Sequence, residues 1–326
     1  MKRVRFAPSP TGSLHVGNAL SAVVNRRFGE WMLLRIDDTD PARNVPGGED
    51  AIVEDLRWLR VEWDDGPTRQ SERQARYREA ASRLGVERFD GIQLLRPDGS
   101  ATYHLATVVD DADFGITHVI RGNDHRPNER LHRRLHEALG TTPPEYIHHG
   151  LVLGPGGKKL AKREPGATVA ALREAGIPPD AVRRYLDDLG LPRHDVRYDL
   201  PRIRRLAIQA LGSLSDEELA ERIGVPATVA PALSGARDLV EARDYARMIL
   251  EPPPRAKLEG ARATLERFRE LADLEPRALV RELKAVGGDL RALRLALTGR
   301  ERGPELWAIV AALPREEALR RVEAAL

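Results

Sequence analysis

The chain has no cysteine, which excludes a disulfide framework and any zinc site built on thiolates, and leaves the redox compartment unreadable. No stretch approaches the roughly 20 consecutive apolar residues that a membrane span needs, and the N-terminus runs into a predicted strand without an apolar leader. A cytoplasmic protein with no membrane partner is therefore expected. An excess of one charge is missing too: 52 Lys and Arg face 50 Asp and Glu, so any affinity for nucleic acid must come from local patches. No internal repeat of fixed period is found. What remains is a chain of 326 residues, 41% hydrophobic and 31% charged, long enough for two or three domains that fold without cross-links. No exposed apolar stripe stands out beyond what a helical core requires, so a monomer is expected.

The most informative segment is RFAPSPTGSLHVGN, from Arg5 to Asn18. Residues 4–7 read as a short buried strand, Pro8 to Gly12 as a tight loop, and Ala19 to Phe28 as an amphipathic helix. A helix start facing such a loop stabilises a phosphate with its free N–H groups. Up to about Gly122, short apolar runs (WMLLRI, THVIRG) alternate with helical stretches such as Glu49 to Leu59, the pattern of a parallel sheet with crossover helices. Pro127 to Leu139 reads as a helix with Leu131, Leu135 and Leu139 on one face. After residue 165 strand signals nearly vanish. Pro179 to Leu189 opens on proline and is followed by Gly190, and Ser215-Asp216-Glu217-Glu218 is a capping box.

In that first segment His15-Val16-Gly17-Asn18 resembles the HIGH motif of class I aminoacyl-tRNA synthetases, in the form used by glutamyl-tRNA synthetases. RIDDTDPARN (35–44), RQSER (69–73), DGSATYHLATVVDD (98–111), GITHVIRG (115–122) and GGKKLAKR (156–163) are similar to that family's blocks, in the family's order. The resemblance implies an α/β fold: a Rossmann-like class I synthetase catalytic domain with a parallel sheet, followed by an all-α C-terminal region. Three domains are expected, at residues 1–140 (catalytic), 141–225 (stem-contact-like, carrying the KKLAKR loop) and 226–326 (compact, helical, anticodon-binding-like).

The implied chemistry is attack of an amino-acid carboxylate on the α-phosphorus of ATP, which needs positioning and charge stabilisation more than a general base. By resemblance, His15, Lys159 and Lys162 are the catalytic residues. ATP would be held by Pro8, His15, Gly17, Asn18, Lys159 and Lys162, with magnesium arriving on the nucleotide, no dedicated metal site and no zinc. Arg5 and Arg121 match the arginines that the family uses around a glutamate side chain, where a guanidinium fork grips a carboxylate better than an amide. Ala7, Ser9 and Tyr103 would line the same pocket, and Asp37 stands where relatives usually have a glutamate facing the substrate ammonium. Glutamate, ATP and tRNA are the expected partners.

Each residue also has a plainer reading. His15 can simply cap a helix, an arginine on a central strand is often an ion-pair partner, Asp37, Asp38 and Asp40 can cap a loop, and Asp110-Asp111 can cap a strand end. His148-His149 and the pair His132 and His136 have spacings found in metal sites, yet no further ligand is assured, and they are assigned no metal. Trp307 either stacks on a partner or fills the core with Val310 and Leu313.

The chain departs from the family between Arg73 and Asp98, where only 24 residues replace a sizeable insertion that holds the tRNA acceptor end. They suffice for a helix from Gln74 to Leu84 and a short strand around Ile92 to Leu95. YDLPRIRRL (198–206) and SDEELAERI (215–223) resemble the stem-contact region, where Arg202, Arg204 and Arg205 are candidates for phosphate contact, and LRLALTGRERGPELWAIVAAL (293–313) resembles the end of the anticodon-binding region. Three readings follow. The first is glutamate activation and ligation to tRNA. The second is a paralogue that adenylates glutamate or a related amino acid for another acceptor, such as a modified tRNA base, a small amine, a peptide or a protein. The third is a catalytically silent RNA-binding module.

Overall fold

The computed structural model describes residues 1–254 and 257–326, which divide into two compact units: Met1–Glu174 with Val182–Leu200, and Ala175–Ala181 with Pro201–Leu326. The first unit begins β1 (Arg3–Phe6), α1 (Val16–Phe28), β2 (Trp31–Ile36), α2 (Gly48–Trp58), β3 (Asp65–Arg69) and α3 (Gln74–Leu84). It continues with β4 (Arg88–Phe89), β5 (Ile92–Gln93), α4 (Tyr103–Asp113), β6 (His118–Gly122), α5 (Glu129–Ala138) and β7 (Glu145–His149).

Strands β1, β2 and β3 pair in parallel in that order, with Arg5 opposite Leu33, and β6 pairs in parallel with β7, with Arg121 opposite His148. Strand β6 runs beside β1, where the Thr117 N–H donates to the Arg3 carbonyl at 2.9 Å. The strand order changes direction between β1 and β6, and in an open parallel sheet that switch point is where a crevice opens at the strand ends. The apolar run of β2 is buried along Met32, Leu33 and Leu34, as expected of a strand covered on both faces.

Local chemistry accounts for the element ends. Helix α1 starts at Val16, three residues earlier than the sequence predicts, because the His15 ring caps it, and Arg26 and Arg27 sit in the last turn, where cations favour a helix C-terminus. The first strand ends at Phe6, before the loop that Pro8 opens. The helix expected over 127–139 is split: Asn123–Asn128 forms a 3-10 turn around Pro127, and the α-helix proper is Glu129–Ala138. Asp110 and Asp111 lie in α4 and not at a strand end, on one helical stretch with Tyr103. The strand expected around 92–95 is the two-residue Ile92–Gln93, paired with Arg88–Phe89, and a short pair after residue 165 joins Val196–Arg197 to Val152–Leu153.

The second unit is built from helices, including Asp216–Ile223, Leu239–Leu250, Arg262–Glu270, Pro276–Ala285, Leu290–Thr298, Leu306–Ala312 and Arg315–Ala325. Leu265, Phe268, Leu283, Leu297, Ile309 and Val322 form its core. Ser215 accepts from the Glu218 N–H while Glu218 accepts from Ser215, completing the capping box. Trp307 is half-buried and carries the Arg277 guanidinium 4.0 Å above its ring, while Leu313, just past the end of the same helix, is buried in the core and Val310 packs against it. No helix among the described residues is long and apolar enough to cross a membrane.

Candidate active site

A cavity of about 470 Å³ opens in the first unit, and all twelve site residues expected from the sequence line it: Arg5, Ala7, Pro8, Ser9, His15, Gly17, Asn18, Asp37, Tyr103, Arg121, Lys159 and Lys162. They come from six places along the chain: the end of β1 with its loop, the start of α1, the turn after β2, the start of α4, the end of β6, and the loop after β8 (Val152–Leu153). Its volume is ordinary for a small-molecule site.

At one end, Nδ1 of His15 accepts from the Asn18 N–H at 3.1 Å. The ring proton therefore sits on Nε2, which is left as a donor. Burial, and then Lys159 and Lys162, push the His15 pKa down to about 4, so the ring is neutral at pH 7. Gly17 makes this possible, since a Cβ there would meet the His15 ring at 2.9 Å. The loop is held by a residue that the motif gives no sign of: buried Asp55 on α2 accepts from Ser13 Oγ at 2.7 Å and from the Leu14 N–H at 2.8 Å. Lys159 Nζ donates to Asp124 at 2.6 Å, and Lys162 Nζ to the Thr11 carbonyl at 2.7 Å. Burial lowers the Lys162 pKa. Two lysines and a neutral imidazole donor around one space suit a polyanion with several oxygens.

At the other end the charges are arranged differently. Arg35 on β2 is fully buried and bonds Asp37 at 2.7 Å and Asp111 at 2.8 Å, with Asp110 at 3.7 Å. Burial opposes its charge, but Asp37, Asp111 and Asp110 together raise its pKa well above the ordinary value. Arg5 Nε donates to Asp111 at 3.2 Å, while Asp110 is held by Arg73, Gln70 and Tyr77. Asp37 therefore lines the cavity with its carboxylate engaged by Arg35. Arg121 differs. Its Nη1 and Nη2 are buried without a partner, and burial lowers its pKa. Arg5, Arg35, Arg121 and Arg321 are the buried arginines; Arg321 bonds Glu317 at 2.6 Å, so Arg121 alone of the four lacks a carboxylate among the described residues.

The histidine pairs go to structural partners. His132 Nε2 lies 3.0 Å from His104 Nδ1, His136 Nδ1 bonds Thr141, and His149 Nε2 bonds Ser21 Oγ at 2.8 Å. No group of three or more His, Asp or Glu that could hold a metal ion exists among the described residues. His15 and His148, at about 4, and His132, at about 2, all have pKa values lowered first by burial, which fixes an acid response. The unfolded chain takes up these protons near pH 6.5 and the folded chain only below about 4. Stability therefore declines as pH falls from 6.5 toward 4, by about 1 to 2 kcal/mol per histidine between pH 6.5 and 5. Urea melts across that range test it, with His15→Gln flattening the slope, and a midpoint indifferent to pH would overturn it.

A parallel sheet with a nucleotide-type helix start at its switch point, facing two lysines and a buried arginine, defines a class I aminoacyl-tRNA synthetase core. The chain belongs to the family described as tRNA synthetases class I (E and Q), whose catalytic-domain model matches residues 1–88 and 85–203. It is 35% identical to a glutamate–tRNA ligase of Rubrobacter xylanophilus over 99% of this chain and 97% of the relative. It is 31% identical to one from Akkermansia muciniphila over 98% of each. A crystal structure of a glutamate tRNA ligase from Elizabethkingia meningosepticum, in complex with its amino acid, shares the fold, with a TM-score of 0.79 at 22% identity over 99% of both chains.

Proposed function

We propose that the chain activates glutamate with ATP and ligates it to tRNA. The observation that carries this reading is the unneutralised Arg121 fork, in the same cavity as the His15, Lys159 and Lys162 donor set. Pro8, Gly17 and Asn18 would hold the nucleotide beside His15, with Gly17 allowing close approach. Arg121 and Arg5 would receive the side-chain carboxylate, with Tyr103, Ala7 and Ser9 shaping the pocket and Asp37 near the ammonium. The α-carboxylate oxygen bonds to the α-phosphorus, and the bond to the departing pyrophosphate breaks. Neutral His15 and the two lysines stabilise charge on the phosphate oxygens and the leaving group. Magnesium would be held by the nucleotide's own phosphate oxygens and would supply neutralisation of their charge. A ribose hydroxyl of tRNA then attacks the acyl carbon, and AMP leaves.

In this reading residues 141–225 carry the stem-contact role and 226–326 the anticodon role, in a cytoplasmic monomer. The glutamate–tRNA ligase names of its relatives support the choice of substrates. One observation favours the paralogous acceptor: the connection from Arg73 to Asp98 is only a helix and a two-stranded turn, and a 421-position alignment of a 326-residue chain leaves about a hundred positions facing gaps. Pyrophosphate exchange with glutamate, with and without total tRNA, followed by labelled glutamate on RNA, decides. An alkali-labile glutamyl-tRNA ester is the expected result, and robust exchange without it would overturn the tRNA reading.

A further inference from the structure

We propose that His148 is a positioning residue that sets the charge selectivity of the amino-acid site, because it holds Arg121 through a neutral acceptor and so leaves the guanidinium charge free for a ligand carboxylate. This rests on the reading of the cavity as a glutamate site. Arg121 and His148 are register partners on the parallel strands β6 and β7, so their side chains emerge side by side. Arg121 Nε donates to His148 Nε2 at 3.4 Å, which requires Nε2 to be unprotonated and places the ring proton on Nδ1. That proton faces Glu129, whose Oε2 is 3.6 Å away.

Glu129 does not pass its charge on. Arg133 takes it, with Nε at 2.9 Å and Nη2 at 2.8 Å from Oε1. The Tyr146 ring closes the other side, lying 5.1 Å from the Arg121 guanidinium and 4.9 Å from that of Arg133, and stacking on His148 at 6.4 Å and 10°. The groups in direct contact with Arg121 are thus neutral, and the charges that reach it from farther off oppose one another, Arg5 disfavouring and Asp111 favouring the guanidinium charge. Burial and the neighbouring Arg121 lower the His148 pKa to about 4, so the imidazole stays neutral at working pH. Arg35 shows the alternative: it is held by the carboxylates of Asp37 and Asp111, and its charge is already balanced before a ligand arrives. A carboxylate in place of His148 would balance Arg121 in the same way. The site would then distinguish a charged side chain from its amide poorly, since discrimination needs a charge that only the correct ligand neutralises.

Calorimetric binding of L-glutamate and L-glutamine to the full chain tests this, in the wild type, His148→Gln and His148→Glu. The glutamine side chain keeps a neutral acceptor, so His148→Gln should retain glutamate affinity within about threefold. His148→Glu should weaken glutamate about 100-fold while changing glutamine about threefold or less, an effect in the range of close charge pairs. If His148→Glu does not melt cooperatively, its combination with Glu129→Gln removes the repulsion between adjacent carboxylates and takes its place. Equal weakening of both ligands would mean a merely structural role and overturn the proposal. So would glutamate binding unchanged by the new carboxylate, or loss in His148→Gln as large as in His148→Glu. A wild type that binds no glutamate would overturn the glutamate reading and this inference together, whereas wild-type binding indifferent to these changes would overturn this inference alone.

Discussion

Arg121→Ala is expected to lower kcat/KM for glutamate about 10³-fold, with the KM for ATP changed about threefold or less. The magnitude follows from leaving a desolvated carboxylate without its partner, which costs roughly 2 to 5 kcal/mol. The selectivity for glutamate over ATP follows from geometry. The guanidinium is held at β6 by His148 and Tyr146, whereas His15, Lys159 and Lys162 belong to the α1 start and the loop after Leu153. The same variant should melt at a temperature equal to or above that of the parent. A buried guanidinium whose Nη1 and Nη2 have no partner destabilises the free protein, and its removal offsets much of the packing that is lost. Steady-state kinetics with each substrate varied, together with a thermal melt, give both halves of the test. Parallel loss of glutamate and ATP use, or a clear fall in stability, would make Arg121 a structural residue.

How much of this was legible in the sequence depends on whether the signal was local. Helices Gln74–Leu84 and Pro179–Leu189 and the capping box at Ser215 fall where turn chemistry puts them, because caps and stops act within a few residues. The split at Pro127 and the two-residue strand at Ile92 were missed because periodicity does not report where hydrogen bonding changes from 3-10 to α, or how far an edge pairs. The twelve cavity residues were found through motif order, which encodes spatial convergence that no single segment contains. Arg35 and His148 were not singled out for the site. Arg35 sits inside an apolar run and reads as one arginine among many, and its importance appears only when Asp110 and Asp111, more than 70 residues away, turn toward it. His148 looked like half of a metal-type pair until its ring was placed opposite Arg121. Asp37 was read for its charge, and the structure shows that charge already shared with Arg35.

Arg35→Met should have the opposite signature to Arg121→Ala, acting on the fold before it acts on the reaction. Methionine fills comparable volume but leaves Asp37 and Asp111 without their shared cation, and Asp110 loses one of two. Removing one partner from a buried ionic cluster costs about 3 to 5 kcal/mol, since the remaining charges stay desolvated. That is a large part of the stability of a typical domain. The pH dependence identifies the cause. In the variant the orphaned carboxylates have folded-state pKa values above their unfolded ones, so the deficit relative to the parent is largest at pH 7 and shrinks as pH falls toward 5 and the carboxyls take up protons. Glutamate use should fall as well, because Asp111 positions Arg5 through Nε and would lose its second cation. Urea melts of parent and variant at pH 7 and pH 5 decide the matter. A deficit below about 1 kcal/mol at pH 7 would be no more than a surface ion pair contributes, and would show that the three carboxylates are compensated by something other than Arg35.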